Sequence, residues 1–575
     1  MPPFAKLPLE ILEKVCGHLA DDHFPSLCNS ALASKRWYVA ANKQRYRHIH
    51  LNVVGRNTLR RDIEKWNSIL KNVSGFVSVR SLTIRGSLPT TPSDIEDLTL
   101  DYETLDTGPA DELTNPYSCY SDILNDLFDF KVKRETDFDG WPALAELLGQ
   151  MTGLDELTWA CDVQLPECLL QTLHTKLPRC KLHIMAFKMP SLHQRAGSPH
   201  EIDERDFALA TSPSISSILV PISHYDTDGC VEYNEEAVMQ LASGLTPNLT
   251  HLYLIYGMLG ADPSFFEAVR RGRPPWRGFH MNKQQESMQP ALQSIHLHSW
   301  GLTPASIEYF ERWEKYIDFS ALRVLQLWQL TSTVLFSAEK YRFNSLKSLA
   351  LDLAYEDFDQ DEPEDNQGLS LDIAASNFLM GISPLESIHL SGLRGAGQTF
   401  QTLLYLHGSS IRKLSLASPD TWTEFETTVD QIERIHAHCP RVRDLRIPMK
   451  YDGGEPHENM IYQSLGSFRC LTDVSVVLQI EDLPAKYSGS GVSRLRDKVF
   501  RLRNEKNLAH DILIAIVRAG ASSLQRVYVG IEQKTAPREL QEHAEFIPRN
   551  WYALRMEGTS EEVVKAISHV TYQKN

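Results

Sequence analysis

The chain has 575 residues, 42% of them hydrophobic and 23% charged, a globular composition too long for one compact core. Its net charge of −16, with no long basic run, argues against nucleic acid or an anionic membrane surface as the main partner, because phosphate binding needs clustered cations. Nine cysteines at irregular spacing, with no C-x-x-C pair, exclude a disulfide framework and a zinc ribbon and point to a reducing compartment, cytosol or nucleus. There is no charged leader followed by an apolar core, and no uncharged apolar run of roughly eighteen residues, so no membrane span is expected.

The first fifty residues read as a small helical module. Leu7, Ile11, Leu12, Val15 and Leu19 recur at helical spacing, and Pro8 suits a first turn. Phe24, Leu27, Cys28, Ala31 and Leu32 form a second apolar run, and Lys35-Arg36-Trp37-Tyr38 opens a third. So short a unit cannot hide all its apolar surface in its own core, which makes part of that surface a candidate interface.

These residues resemble the F-box family. Leu7-Pro8-x-x-Ile11-Leu12, with Glu10 in the acidic place, looks like the family's opening L-P-x-E-[IL]-L. Lys35-Arg36-Trp37 looks like its third-helix signature, and Tyr46 to Leu51 like its exit into a first strand. The resemblance implies docking on a Skp-type adaptor and, through it, a cullin–RING ubiquitin ligase. On that likeness Leu7, Pro8, Ile11, Leu12, Leu32 and Trp37 would contact the adaptor or support the contact surface.

From there a pattern L-x-x-L-x-L returns thirteen times, with units starting at Val79, Leu154, Arg179, Ile215, Leu249, Leu292, Leu322, Leu346, Leu385, Ile411, Val442, Leu471 and Leu524. From Leu154 onward the spacing averages about 34 residues, longer than the roughly 20–29 of common leucine-rich repeats. The fourth and sixth positions share a parity and point to one face of a short strand, the third, fifth and seventh to the other. Segments of helical spacing lie between: 141–151, 166–177, 235–245, 306–317, 371–382, 398–407, 429–438 and 510–519. Alternating strand and helix predicts an α/β fold: a helical F-box over residues 1–50, then over 51–575 a curved leucine-rich-repeat solenoid of parallel strands. Residues 86–125, 186–214 and the acidic 355–367 read as long loops. Ile95 to Leu100 also fits the pattern but follows Val79 too closely for a crossover. The basic patches Arg270 to Arg273 and Arg494 to Lys506 read as solvated surface.

Catalytic and metal-binding patterns are weak. Gly392 to Thr399 has the frame of a phosphate-binding loop, but Gln398 stands where the lysine should be. His296 and His298 share one strand face, yet Tyr253, Ile255, Gln326 and Trp328 on the neighbouring units supply no further ligand, and His389 lies three strands off, roughly 14 Å at ~4.8 Å per strand. His436-Ala437-His438-Cys439 ends a helix, with His436 and Cys439 turned inward. No active site, cofactor or metal is expected.

What remains is the outer strand face. By parity it carries His251, Tyr253, His296, His298, Gln326, Trp328, Asp352, His389, Lys413, Asp444, Arg446, Asp473, Arg526 and Tyr528. Trp, Tyr, Arg and His at exposed strand positions suit protein binding, and Tyr253, His296, His298, Gln326, Trp328, His389 and Arg446 are the candidate target contacts. The expected function is a non-catalytic substrate receptor of an SCF-type ubiquitin ligase. The alternatives are a repeat scaffold without a ligase role, or a sensor whose concave face takes a small molecule.

Overall fold

A computed structural model describes residues 7–22, 24–53, 55–86, 140–161, 163–187, 189–194, 201–222, 231–257, 275–279, 291–300, 308–328, 330–353, 371–392, 397–417, 427–451, 456–479, 507–532, 550–555 and 564–567. The chain divides into two compact units, one of Met1–Asp101 with Tyr117–Ile295, the other of Tyr102–Pro116 with His296–Asn575.

The first unit opens with three helices, α1 (Leu9–Asp22), α2 (Phe24–Ala31) and α3 (Lys35–Arg45). The Pro8 carbonyl accepts from the amides of Ile11 and Leu12, which starts α1 at the proline. Ser34 caps α3, its hydroxyl accepting from the Trp37 amide at 3.3 Å. Leu12, Cys16, Leu27, Ala31, Ala40 and Ala41 form a closed core, with Leu7, Leu9, Leu19, Ala20 and Trp37 packed around it. The inward stripe of α1 therefore runs through Leu12 and Cys16, and Ile11 is turned out to 40% exposure.

Strand β1 (His48–Val53) follows, then helix α4 (Arg56–Asn72) and β2 (Ser81–Gly86). Leu59, Ile63 and Leu70 line the buried side of α4, a helix missing from the sequence reading. β1 and β2 pair in parallel, Ile49 beside Leu82 and Leu51 beside Ile84. Gly86 ends β2 at φ 125, where a side chain would meet the Val53 carbonyl at 2.2 Å, so only glycine lets the two strands close there. Strands β3 (Glu156–Cys161), β4 (Lys181–Ile184), β6 (Ile215–Ile222) and β8 (His251–Gly257) extend this sheet in the order β1-β2-β3-β4-β6-β8. Residues 186–214 hold more than a loop: a 3₁₀ turn at Pro190–Leu192, the short β5 (His193–Gln194) and a helix Glu204–Ala210. β5 pairs antiparallel with β7 (Val231–Glu232). Asp206, fully buried, holds that stretch by accepting from the Gln164 amide group at 2.7 Å, the Ser191 amide at 2.8 Å and the Ser191 hydroxyl.

In the second unit the strand order is β9 (Ser294–Trp300, starting at the unit boundary), β10 (Val324–Leu327), β11 (Ser348–Asp352), β12 (Ser387–Ser391), β13 (Lys413–Ala417), β14 (Asp444–Lys450), β15 (Asp473–Gln479), β16 (Arg526–Glu532), β17 (Asn550–Arg555) and β18 (Val564–Ile567). β10 to β16 run parallel in unbroken register. β17 and β18 are antiparallel additions outside the repeat pattern.

Every one of the thirteen L-x-x-L-x-L units carries a strand, and in all but the Ile215 unit it begins at the third position. The fourth and sixth positions are at most 3% exposed, Leu349, Leu351, Leu414 and Leu416 among those at 0%. They pack under the returning helices Leu371–Met380, Gln398–His407, Val429–His438, Pro456–Leu465 and Leu508–Arg518. Each such side chain contributes roughly 1.5–3 kcal/mol of burial, available only because a neighbouring repeat covers it. The fold is thus a helical module followed by parallel strands alternating with helices. The 86–125 and 355–367 loop expectations, the Ile95 segment and both basic patches fall outside the described residues, apart from Gly86 itself.

Candidate functional site

At the N-terminal module, α3 is tied to the start of α1. The Arg36 guanidinium donates to the Leu7 carbonyl at 2.5 Å, Lys43 pairs with Glu13 at 2.7 Å, and the Gln44 amide donates to the Glu13 carbonyl at 3.3 Å. This brings together the first turn of α1, the α2–α3 turn and the first turns of α3. That end carries Pro8, Ile11 (40% exposed), Leu32 (84%), Tyr38 (48%) and Val39 (49%). Four of the eleven exposed large apolar side chains among the described residues therefore belong to this three-helix module, Leu32 in the turn between α2 and α3. Such a concentration on so small a unit makes this end a candidate interface.

The six residues proposed from the sequence fall into two groups. Pro8, Ile11 and Leu32 present themselves to solvent. Leu12 is 1% exposed, and Leu7 and Trp37 lean on the core, so these three build the surface from behind. Tyr38 and Val39, exposed at the same end, were not among the six. Their signal was their position between Trp37 and Ala40, off the stripe that Trp37, Ala40 and Ala41 turn inward.

On the first unit's sheet, register aligns His50, Thr83, Thr158, His183, Ser217 and His251 across successive strands. His183 Nδ1 meets the Ser217 hydroxyl at 2.7 Å, and burial pushes its pKa down, partly offset by Glu156. Tyr253 sits beside Met185 over a cluster of Ala186, Leu219 and Ile255.

On the second unit's sheet the corresponding row is Gln326, Ala350, His389, Ser415, Arg446, Ser475, Tyr528. The parity reading places these residues on one face, but not in the open. His296 is 4% exposed, Gln326 1% and His389 2%. Trp328 lies between His298 and His389, with ring centroids 5.8 Å from each. His389 Nδ1 meets the Ser415 hydroxyl at 2.8 Å. The middle of this face is therefore a packed aromatic–imidazole cluster, and the half-buried Arg446 is the candidate that keeps access to solvent together with a charge.

Burial drives His298 down to about 4 from an ordinary value of 6.5. The folded side chain thus stays neutral where the unfolded one protonates. Its contribution is whole above pH 6.5, falls as pH drops from 6.5 to 4, and is level below that. The loss should total roughly 3 kcal/mol, at ~1.36 kcal/mol per unit. Denaturant unfolding of wild type and His298→Phe across this range should show wild type losing roughly 3 kcal/mol relative to the variant as pH falls from 6.5 to 4; parallel curves would refute the assignment.

Residues 4–52 match a protein-family model described as F-box-like. The N-terminus carries an F-box-like domain. No curated protein matches the chain. Among solved structures, the leucine-rich repeat-containing protein LegL7 from Legionella pneumophila is similar at 14% identity and a TM-score of 0.29, over 57% of this chain and 90% of that one. The F-box-like domain and the repeat fold together describe a protein-interaction adaptor, both being typically non-catalytic modules.

The near-miss phosphate loop is filled from within. Asp372 accepts from the amides of Gln398 and Thr399 at 2.7 and 3.0 Å, and a side chain at Gly397 would strike its carboxylate at 2.7 Å. The chain's own carboxylate occupies the anion position at this helix N-terminus. His436, expected to turn inward, is exposed instead because the buried side of its helix runs through Ile432, Ile435 and Cys439; it packs edge-on against Phe468 at 5.1 Å, and the exposed His438 Nδ1 meets the Arg434 carbonyl at 3.0 Å. Among the described residues no group of three or more His, Cys, Asp or Glu is placed to hold a metal, and no helix is long and apolar enough to cross a membrane.

Proposed function

We propose that the protein is the non-catalytic substrate receptor of an SCF-type cullin–RING ubiquitin ligase, acting in the cytosol or nucleus. The F-box-like domain docks a Skp-type adaptor, and the strand face of the repeats holds a target protein. The observation that carries this reading is the exposed apolar end of α1–α3, Pro8, Ile11, Leu32, Tyr38 and Val39, on a domain matching the F-box-like model. Docking would act through proximity, raising the effective concentration of target lysines near the charged conjugating enzyme. No group in the chain needs to react.

Co-expression with a Skp-type adaptor and size-exclusion chromatography tests it. The full chain should co-elute stoichiometrically with the adaptor, and a chain lacking residues 1–50 should not. Separate elution of a folded full chain would leave a repeat scaffold instead.

A further inference from the structure

Across β13 to β16 the register sets Ser415, Arg446, Ser475 and Tyr528 side by side on one face. Adjacent strands lie about 4.8 Å apart, so Arg446 has the half-buried Ser475 one strand away on one side and the buried Ser415 on the other. Two residues earlier on the same strands the charges cancel. Lys413 pairs with Asp444 at 3.4 Å, and Arg526 pairs with Asp473. Arg446 has no carboxylate partner among the described residues, and its Nε is closed off from water without an acceptor. A desolvated cationic N–H without an acceptor is costly to keep, and an oxyanion bound at the accessible part of the half-buried Arg446 removes that cost once the side chain shifts to admit it. The neighbouring groups are already ordered. Ser415 is held by His389, and Tyr528, whose phenol burial pushes up, is close enough to Arg446 for the guanidinium to oppose that shift.

We infer that Arg446, flanked by Ser415 and Ser475, binds one carboxylate of the target protein, an aspartate or glutamate side chain. The inference rests on the repeat face being the target-holding surface. Charge favours a carboxylate over a phosphoryl group. The latter carries about −1.5 to −2, whereas this row offers a single uncompensated cation on a chain of net charge −16. The planar fork of arginine matches either group in two-point fashion, so the charge balance decides between them.

The test is selection of a random peptide library on the purified full-length chain, with Arg446→Gln and Arg446→Lys alongside. The wild type should enrich Asp or Glu at one fixed position. The best acidic peptide should bind Arg446→Gln about 10- to 100-fold more weakly, with an intermediate loss for Arg446→Lys. Its Glu→Gln peptide variant should lose as much on wild type and nothing further on Arg446→Gln. Equal binding of the acidic peptide to wild type and Arg446→Gln overturns the inference, and so does a selection with no acidic position. Tighter binding when phosphoserine replaces the acidic residue also overturns it, naming phosphate as the ligand. Should Arg446→Gln melt early, the Arg446→Lys comparison and the peptide substitution decide. Adaptor co-elution is read separately, so failure of F-box docking and failure of the Arg446 site give different results.

Discussion

Leu32→Asp should weaken binding of a Skp-type adaptor by about 100-fold or more while leaving the thermal unfolding of the chain unchanged. Leu32 is 84% exposed, the most exposed large apolar side chain among the described residues. In the free chain a carboxylate there is hydrated and harmless. In a docked complex the substitution removes roughly 1.5–3 kcal/mol of apolar burial and adds the desolvation of a charge. Isothermal titration with purified adaptor measures it, and undiminished affinity would place the docking surface elsewhere. Ile11→Asp should act in the same direction. The signature residues Leu7 and Trp37 are poor probes by comparison, because both pack on the core of Leu12, Cys16 and Leu27. A charge there would loosen the helices themselves, and lost binding would report unfolding. Leu12→Asp, at a site 1% exposed, should show that failure through a lowered melting temperature.

Trp159→Ala should cost the first unit about 3–5 kcal/mol. Trp159 is 0% exposed on β3, its indole N–H donates to the Val163 carbonyl at 2.9 Å, and its ring stands edge-on to Trp141 at 5.6 Å. Truncation leaves a cavity, an unmet carbonyl and a lost aromatic contact at once. Because each repeat is stabilised mainly by its neighbours, amide hydrogen exchange should quicken first in β2, β3 and β4. A cost under about 1 kcal/mol would mean that the site collapses around the smaller side chain. Trp159→Phe keeps most of the volume and should lose far less.

Sequence and structure agree most closely where period alone decides. The thirteen strands follow from the parity of two buried positions, and the helices Gln398–His407 and Val429–His438 coincide with their predicted spans. Disagreement comes where long-range packing overrides local pattern. Helix α4 and the helices Ser332–Ala338 and Pro456–Leu465 are absent from the sequence expectation, because α4 and Pro456–Leu465 carry few apolar positions and the seven residues of Ser332–Ala338 are too short to display a helical period. The segment 235–245 breaks after Gln240, where Gly244 takes φ 118 and turns the chain into its next strand. β17 and β18 reverse direction at the end of the array, which no repeat pattern encodes.

The candidate sites divide in the same way. Residue order alone determined the F-box resemblance, the repeat period, and which side chains share a strand face, since alternation along a strand is a local geometric fact. Exposure is not local. Only the tertiary structure decided that Leu12 closes a core while Ile11 beside it faces solvent, and that His296, Gln326 and His389 are buried where parity would leave them open. It likewise decided that Asp372 takes the anion position beneath Gly397, and that Arg446 has no carboxylate partner among the described residues beside a row whose charges pair with each other. Each of these depends on which distant residues arrive within a few ångströms, and that is set by packing across repeats.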